Sequence, residues 1–172
     1  MKTGVAVFLS VILLSLPSQA GAQGGFVKFV GGVAKDVATD PTTYSPFGAS
    51  WLGKQLDWSS SQVFFEHDYI ESNPYFTING LVQGTPVSYA TGNRKVIQIS
   101  LPVLKLSLVN NVNVSAIEWF LIEKQPKHRK LIKTAGWVEK IAVASYLGYK
   151  YSHRNFRQWQ KNKDMARQLG YR

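Results

Sequence analysis

Side chains of one kind recur at spacings of three and four over two long stretches of the chain, polar in the first and apolar in the second, which is the period of a helix. The first stretch predicts a helix from Pro46 to about residue 67 or 70, because proline suits the first helical position and Asn73-Pro74 cannot continue the helix. The second predicts a helix from about residue 130 to Leu169, with Gly170 as its C-terminal cap. The apolar stripe of this second helix consists of Leu131, Ala135, Val138, Ala142, Tyr146 and Tyr149.

Residues 94–124 fit two different periods. Alternation of apolar and polar residues predicts a β-hairpin within 96–122 that turns at Asn110-Asn111. Pro102 is unfavourable in the interior of either a strand or a helix. The pattern leaves two folds open: a mostly α fold, with an N-terminal helix and about three further helices, or an α+β fold with the hairpin. The helical alternative places one apolar stripe on a single face, formed by Ile97, Leu101, Leu104, Leu108, Val112 and Trp119.

The start of the chain has the features of a secretory signal peptide. A lysine precedes an apolar run over residues 5–16, and Ala20-Gly21-Ala22 is a small-residue cleavage pattern. We expect cleavage before Gln23, and an uncleaved anchor helix is the alternative. Four glycines predict a flexible lead over residues 23–45.

Composition restricts the chemistry that is available to the protein. A hydrophobic fraction of 45%, with 13% aromatic residues, is too high for a disordered chain. The absence of cysteine excludes cysteine-ligated zinc or iron–sulfur sites, disulfides and thiol nucleophiles. The charged fraction of 17% is below the roughly 25% of soluble domains, which favours a lipid or partner environment. We divide the 172 residues into a signal peptide (1–22), a flexible lead (23–45), a helical core (46–125) and a basic amphipathic C-terminal helix (126–172).

The whole net charge of +10 lies in the last third of the chain. Residues 121–172 contain thirteen basic and three acidic residues, whereas residues 1–120 are neutral overall. This asymmetry predicts an anionic partner, and the expected export argues against nucleic acid as that partner. We therefore expect binding to an anionic membrane surface, with a merely solvated basic helix as the alternative. The predicted surface-binding residues are Lys127, Arg129, Lys130, Lys133, Lys150, Arg154, Arg157, Lys161 and Lys163.

After the signal, no stretch of 18 or more uncharged apolar residues suggests a membrane span. The nearest candidate is 96–122, which contains Lys105 and Glu118. A central lysine costs about 2.5–3.5 kcal/mol on insertion scales, so this segment would not insert easily alone.

One polar stripe on the first predicted helix contains the groups with the most evident chemistry. Asp57, His67 and Glu71 could bind a divalent metal or transfer protons, although their spacing matches no ligand motif. A solvated helix face and a buried polar network are the structural alternatives. We predict no catalytic residue and no cofactor, because the chain has no G-x-S-x-G and no phosphate-binding glycine motif. The stripe falls at spacings of three and four and consists of Asp57, Ser60, Ser61, Phe64, His67, Asp68 and Glu71.

A family resemblance includes part of this stripe. The residues that carry it are Asp57, Ser61, Glu71, Asn73 and Pro74. They resemble the Asp-x-x-x-Ser/Thr … Glu-x-Asn-Pro pattern of an uncharacterised family of small bacterial helical membrane proteins. The resemblance covers roughly residues 50–125 and implies helices, which favours the helix over the hairpin for 94–124. It implies no activity, and the long basic C-terminal region departs from the family pattern.

The Glu-x-Asn-Pro part also has a purely structural interpretation. Asn73 must leave the helical conformation before Pro74, and its side chain can bond to the freed backbone groups. We expect Glu71 to reach Arg94 or Lys95 across the following loop. The motif would then act as a structural latch.

These features predict an exported, membrane-associated small helical protein with a structural or accessory role rather than an enzymatic one. We expect it at the inner membrane or in the periplasm of a bacterium. Its expected partner is a membrane surface or a membrane-protein complex, with no nucleic acid and no evident small-molecule substrate. The alternative is a periplasmic enzyme or metal-binding module that uses Asp57, His67 and Glu71.

Overall fold

A computed structural model describes residues 22–171, and over this range the chain forms four α-helices. The prediction of a mostly α fold is confirmed. Three single-turn 3-10 helices connect the long ones, at Pro41–Thr43, Pro74–Phe76 and Pro126–His128. The four long helices are α1 (Ala22–Thr39), α2 (Ser45–Phe65), α3 (Tyr89–Lys124) and α4 (Arg129–Leu169).

The helix ends follow the local chemistry of the chain. Ser88 caps α3, because its side chain accepts a hydrogen bond from the backbone N–H of Thr91 at 3.4 Å. Helix α4 ends at Gly170, which has a φ of 73°, a conformation that glycine adopts without a steric penalty. The bounds predicted for this helix are therefore correct to within one residue.

Residues 96–122 lie inside α3, so the alternative of a β-hairpin there is wrong. The helical period prevails because it gives α3 one face that is buried in the bundle, and Pro102 is accommodated within the helix. Over residues 22–171, β-type pairing is limited to two isolated bridges, Glu71–Gly84 and Thr77–Pro86, in the loop between α2 and α3. Among the described helices, none combines the length and the apolar character needed to cross a membrane.

The predicted flexible lead over 23–45 is wrong, because most of it forms α1. Tertiary packing overrides the poor helix propensity of its glycines. Val33 and Val37 are buried against Ala116 of α3, and Gly32 lets the indole of Trp119 lie directly on the helix backbone. The predicted signal peptide 1–22 falls, except for Ala22, outside the described residues.

The bundle has two separate apolar clusters rather than one continuous core. Helix α2 contacts α4 most extensively and also packs on α3, whereas α1 packs on α3. One cluster, called the aromatic cluster below, contains Trp58, Phe76 and Val96, with Phe65, Val87 and Ile99 around it. The other joins α1 to α3 and contains Val33, Val37 and Ala116, with Phe29, Leu108 and Trp119.

Polar side chains occupy much of the interior between these clusters. Twelve polar or charged residues are buried, against nine hydrophobic ones, in the described part of the chain. The buried face of α3 is largely hydrophilic, and every buried side-chain nitrogen or oxygen within residues 22–171 has a hydrogen-bond partner. We call this face the polar seam of α3, and it consists of Ser100, Ser107, Asn111, Ser115 and Glu118.

Candidate functional site

The predicted motif residues Glu71, Asn73 and Pro74 shape the loop that follows α2. The carboxylate of Glu71 accepts a hydrogen bond from the backbone N–H of Asn73 at 2.7 Å. Asn73 in turn accepts one from the backbone N–H of Tyr75 at 3.1 Å and caps the 3-10 helix that starts at Pro74. The motif thus folds its own loop by bonding to backbone groups that the proline leaves free.

The expected contact across the loop does not form. No ion pair joins Glu71 to Arg94 or Lys95 in the described part of the chain. Lys95 instead donates to the backbone carbonyl of Tyr75 at 2.5 Å and lies over the Tyr75 ring. Glu71 is held locally, so the loop is tied to α3 through Lys95 and a carbonyl rather than through two charges.

Asp57 and Ser61, the first part of the motif, lie at a polar joint between α2 and α4. The amide of Asn162 on α4 lies 3.3 Å from the Asp57 carboxylate, 3.0 Å from Ser60 Oγ and 3.1 Å from Ser61 Oγ. Both serine hydroxyls donate back to the Asp57 carbonyl at 2.9 Å. Asn162 is buried, so these contacts replace the water that its amide loses on folding.

The electrostatics of this joint make Asp57 unusual among the acids of the chain. Burial, followed by the negative charge of Glu71, raises the pKa of Asp57 to about 6, although the Asn162 hydrogen bond opposes the shift. A carboxyl with this pKa changes its charge close to neutral pH. Here it faces an amide and two hydroxyls, which fits a structural joint between helices.

The third candidate ligand, His67, has a different environment. Its ring stacks on Tyr171 at 3.7 Å between centroids, and its Nδ1 lies 2.8 Å from the carbonyl of Val63. Helix α2 ends at Phe65, so His67 and Glu71 are no longer on a helical face with Asp57. Over residues 22–171, no group of three or more acidic or histidine side chains is arranged to hold a metal ion.

A second constellation, which we call the ionic cluster, lies where α1, α3 and α4 meet. It combines the three carboxylates of Asp36, Asp40 and Glu118 with the ammonium groups of Lys133 and Lys140. Lys133 lies 2.9 Å from Asp36 and 2.8 Å from Glu118. Lys140 lies 3.5 Å from Asp40, 3.7 Å from Glu118 and 2.9 Å from the hydroxyl of Ser115. Glu118 therefore bridges both lysines.

Burial makes the centre of the ionic cluster sensitive to change. The side chains of Lys140 and Glu118 are only 5% and 4% exposed. Gly136 lies against Glu118 so closely that any Cβ at this position would overlap the carboxylate. Two charges removed from water are tolerated because each has an opposite partner and a further hydrogen bond.

Two groups of the ionic cluster have shifted pKa values. Burial favours the neutral form of Asp40, but hydrogen bonds from Thr42 and the charge of Lys140 outweigh it, so the pKa of Asp40 lies below its ordinary value. Burial likewise opposes the charge of Lys133, yet hydrogen bonds to Asp36 and Glu118 raise its pKa above the ordinary value. Both shifts favour the charged, paired state.

The polar seam of α3 continues the ionic cluster through the interior. Thr42 donates to Asp40 at 2.6 Å, and the amide of Asn111 donates to the hydroxyls of Thr42 and Thr43 at 2.8 and 2.7 Å. Ser107 then donates to the carbonyl of Thr43 at 2.6 Å. One connected network therefore links the end of α1 to the middle of α3 and to α4.

The ionic cluster borders a surface cleft of about 620 Å³. Trp137 and Thr134 of α4 also line the cleft. The carboxylates and lysines that line it already satisfy one another, which leaves few groups to bind a ligand. The geometry therefore supports a clamp between helices rather than a catalytic pocket.

Sequence reasoning missed the ionic cluster because its members are far apart along the chain. Lys133 is 97 residues from Asp36. A usable signal does exist: Lys133 and Lys140 are seven residues apart and share a face of α4, and Asp36 and Asp40 are only four residues apart, around the end of α1. The seven-residue spacing alone does not reveal which helix faces which.

The predicted anionic-surface residues mostly lie where a partner could reach them. Lys127, Arg129, Lys130, Lys150, Arg154, Arg157, Lys161 and Lys163 are exposed. Lys133 is the exception, because its charge is engaged by Asp36 and Glu118 and is not free for an external anion. Its assignment to the anionic surface stays a prediction, for a cation that two carboxylates already pair.

Comparison with known proteins adds no relative from which a role could be transferred. The chain matches no protein-family model, no curated protein and no solved structure. The resemblance carried by the Asp57 to Pro74 motif thus stays a prediction. The function has to be inferred from the distribution of polar and apolar groups that the fold creates.

Proposed function

We propose that this protein is an exported, membrane-associated helical protein with a structural or accessory role rather than an enzymatic one. The observation that carries the proposal is the distribution of polarity in the bundle. Polar side chains fill much of its interior, and large hydrophobic side chains cover much of its exterior. Such a distribution suits a bundle whose outer faces contact lipid or another protein.

Helix α3 illustrates this distribution in one element. Its polar seam is buried, whereas the apolar residues on the opposite side are exposed. The stripe predicted from the sequence is only partly covered by the other helices. Its members Ile97, Leu101 and Val112 are exposed, and Leu106, Ile117 and Phe120 extend the apolar surface.

Close helix contacts at small residues support the same proposal. Gly92 lies under the indole of Trp58, and at Gly53 a Cβ would come within 3.1 Å of the carbonyl of Ser152. Gly136 and Gly32 make comparable contacts to Glu118 and Trp119. Glycine and serine at helix contacts, joined by hydrogen bonds between polar side chains, are typical of bundles assembled next to lipid.

Cell fractionation tests the proposal directly. We expect the protein in the membrane fraction after a low-salt wash, either released by high salt or retained through carbonate. Release by salt would identify attachment through the basic surface, whereas retention through carbonate would identify attachment through apolar contacts. Complete release at low salt would refute membrane association.

Intact-mass analysis of the same material tests export. We expect a mass that corresponds to a chain beginning at Gln23. A mass that retains the first residue contradicts cleavage at this position. Protease protection in whole cells, compared with cells whose outer barrier has been opened, then reports on which side of the inner membrane the bundle lies.

A further inference from the structure

The outward face of α4 has an apolar half that the other helices leave uncovered. All six residues of the stripe predicted from the sequence are exposed, with Leu131 and Tyr149 at 68% and 67%. A different face of α4 packs against the other helices, and it contains Gly136, Lys140 and Leu147. The uncovered stripe extends over 18 residue steps, or about 27 Å.

A cationic half follows along α4, on an exposed face turned by about a quarter of a circle from the stripe. Lys150, Arg154, Arg157 and Lys161 are all exposed, and their spacings of four, three and four place them on one face. In this half the buried positions are Ser152 and Asn162, so the bundle lies on the other side of the helix. A second group of exposed cations lies at the start of α4 and just before it, at Arg129, Lys130 and Lys127.

Aromatic side chains lie where the apolar half meets the cationic half. Tyr146 and Tyr149 end the stripe, and the ammonium group of Lys150 lies 5.4 Å from the centre of the Tyr146 ring. Tyrosine is favoured where an apolar phase meets water, because its ring is apolar and its hydroxyl is polar. Along α4 the order is therefore cations, aliphatic residues, tyrosines and cations again.

We propose that the outward face of α4 binds the interface of an anionic lipid bilayer, with the helix axis parallel to the membrane plane. In this orientation the stripe from Leu131 to Tyr149 enters the boundary of the acyl chains, and the cations at both ends contact the anionic headgroups. Charge complementarity selects this occupant, because seven cations at the ends of the stripe accompany a single exposed acid, Glu139, between them. This inference rests on the proposed membrane association, and it adds that the lipid is anionic and that the contacting surface is the outward face of α4.

Binding of the purified full chain to vesicles tests the proposal. We expect it to sediment with vesicles of phosphatidylcholine that contain about a third phosphatidylglycerol, and to bind pure phosphatidylcholine vesicles far more weakly. Binding should fall steeply between 0.1 and 1 M salt, where the screening length drops from about 10 to about 3 Å. Equal binding to neutral and anionic vesicles would overturn the electrostatic part of the proposal.

Two quadruple variants with the same net charge separate position from total charge. The variant Lys150→Gln/Arg154→Gln/Arg157→Gln/Lys161→Gln should reduce the apparent affinity for anionic vesicles by about 10²- to 10³-fold. The control Lys28→Gln/Lys35→Gln/Arg94→Gln/Lys105→Gln removes four exposed cations from α1 and α3, and we expect a loss below about tenfold. Equal losses would show that only net charge matters and would overturn the assignment to α4.

A second matched pair tests the apolar half. Val138→Asn/Tyr149→Asn should weaken binding, whereas Ile97→Asn/Leu101→Asn on the outer face of α3 should not. The reverse pattern would overturn the proposal and assign the lipid contact to α3. Circular dichroism confirms that each variant is folded, and since all variants keep the same N-terminus, the first 22 residues cannot cause a difference.

The outcomes distinguish this inference from the broader proposal. If the protein is membrane-bound in cells but does not bind anionic vesicles, only the present inference fails, because the membrane attachment then has another cause. If the chain self-associates and Val138→Asn/Tyr149→Asn abolishes this, a second copy covers the face and the inference also fails. If the protein is released from cells at low salt, the broader proposal fails first.

Discussion

The aromatic cluster and the ionic cluster hold the same bundle with opposite kinds of side chain. In the aromatic cluster the Trp58 and Phe76 rings stack at 5.0 Å between centroids, and Val96 is fully buried beside them. In the ionic cluster Lys140 and Glu118 are almost as well buried. Their contribution to the stability of the fold depends on oppositely charged partners rather than on the apolar surface area that is removed from water. An apolar group gains from every neighbour, whereas a buried charge needs a specific one.

The largest effect is expected at the aromatic cluster. Trp58→Ala should destabilise the fold by about 3–5 kcal/mol, because it leaves a cavity and removes the indole hydrogen bond to the Tyr89 carbonyl. Urea unfolding gives the free energy. Trp51→Ala, at an exposed position of the same helix, is the control and should cost below about 1 kcal/mol. Equal losses for both variants would show that the cluster is not the centre of packing.

A loss of about 3 kcal/mol is expected for Lys140→Ala at the ionic cluster, because Asp40 loses its charged partner and Glu118 one of two. The contrast with the aromatic cluster appears in double variants. Lys140→Met/Asp40→Asn should regain at least half of the loss, since residue 40 is then neutral and Glu118 keeps its pair with Lys133. Trp58→Ala/Phe76→Ala should instead be worse than either single variant. Urea unfolding of the single and double variants measures both effects. The distinction is contradicted if the ionic double variant is no more stable than Lys140→Ala, or if the aromatic double variant is more stable than Trp58→Ala.

The polar joint at Asp57 and the ionic cluster should respond oppositely to pH. Because the folded pKa of Asp57 is raised to about 6 from 3.8, its effect on stability becomes less favourable as pH rises from about 4 to about 6. Asp57→Asn should therefore stabilise the fold by about 1 kcal/mol at pH 7, after allowance for solvent screening, and by less at pH 4. Asp40 has the opposite sign, since its lowered pKa adds stability above pH 3.8 that is lost as pH falls through the folded pKa.

Thermal unfolding midpoints at pH 4 and pH 7 measure the Asp57 effect. Asp164→Asn is the matched control, because Asp164 is an exposed acid near the end of α4. A stabilisation by Asp57→Asn that is identical at the two pH values would mean that the charge of Asp57 is not responsible.

The smallest effect is expected outside both clusters. Arg167 and Asp164 form an exposed pair at 3.6 Å, with both side chains about 70% accessible. Arg167→Ala should change the free energy of unfolding by less than about 0.5 kcal/mol, because water screens the pair and both side chains lose entropy when they meet. A loss above 1 kcal/mol by urea unfolding would show that charge matters on this protein's surface as much as in its interior.

The sequence predicted the helices better than it predicted their orientation. Period and punctuation were sufficient for α2 and α4, and Gly170 marks the end of α4 as expected. Helix α1 was missed because glycine is a poor local helix former, and only contacts with α3 reveal why the segment is helical. Helix propensity depends on the residues of the segment itself, whereas the burial of α1 depends on residues of α3 that are distant in the sequence.

Which face of each helix is buried could not be read from hydrophobicity. The apolar stripe of α4 points away from the bundle, and the buried face of α3 contains serines, an asparagine and a glutamate. The usual inference that an apolar helix face is the buried one assumes that water surrounds the protein. It fails here in a way that agrees with the proposed membrane association, and the failure itself is informative.

The candidate site was only half predictable for a related reason. The Asp57 to Pro74 motif is local, and its loop could be anticipated from Asn73 and Pro74. Its partner Asn162 is 105 residues away from Asp57, and no periodicity on α4 distinguishes this asparagine from its neighbours. Whether two polar residues on different helices meet depends on how the helices pack on each other. The residue pattern of a single helix gives no information about that packing.

The polar seam also has an evolutionary consequence. Asn111 bonds to Thr42 and Thr43, and its replacement by an apolar residue would leave two buried hydroxyls without that donor. We therefore expect substitutions in the polar seam to be tolerated mainly in combination, so that the inner positions diverge in linked groups while the outer positions change singly among apolar residues. Pairs such as Lys140 with Glu118, or Asp57 with Asn162, would then change together in descendants of this chain, and their correlated substitution would record the helix packing long after overall sequence similarity is lost.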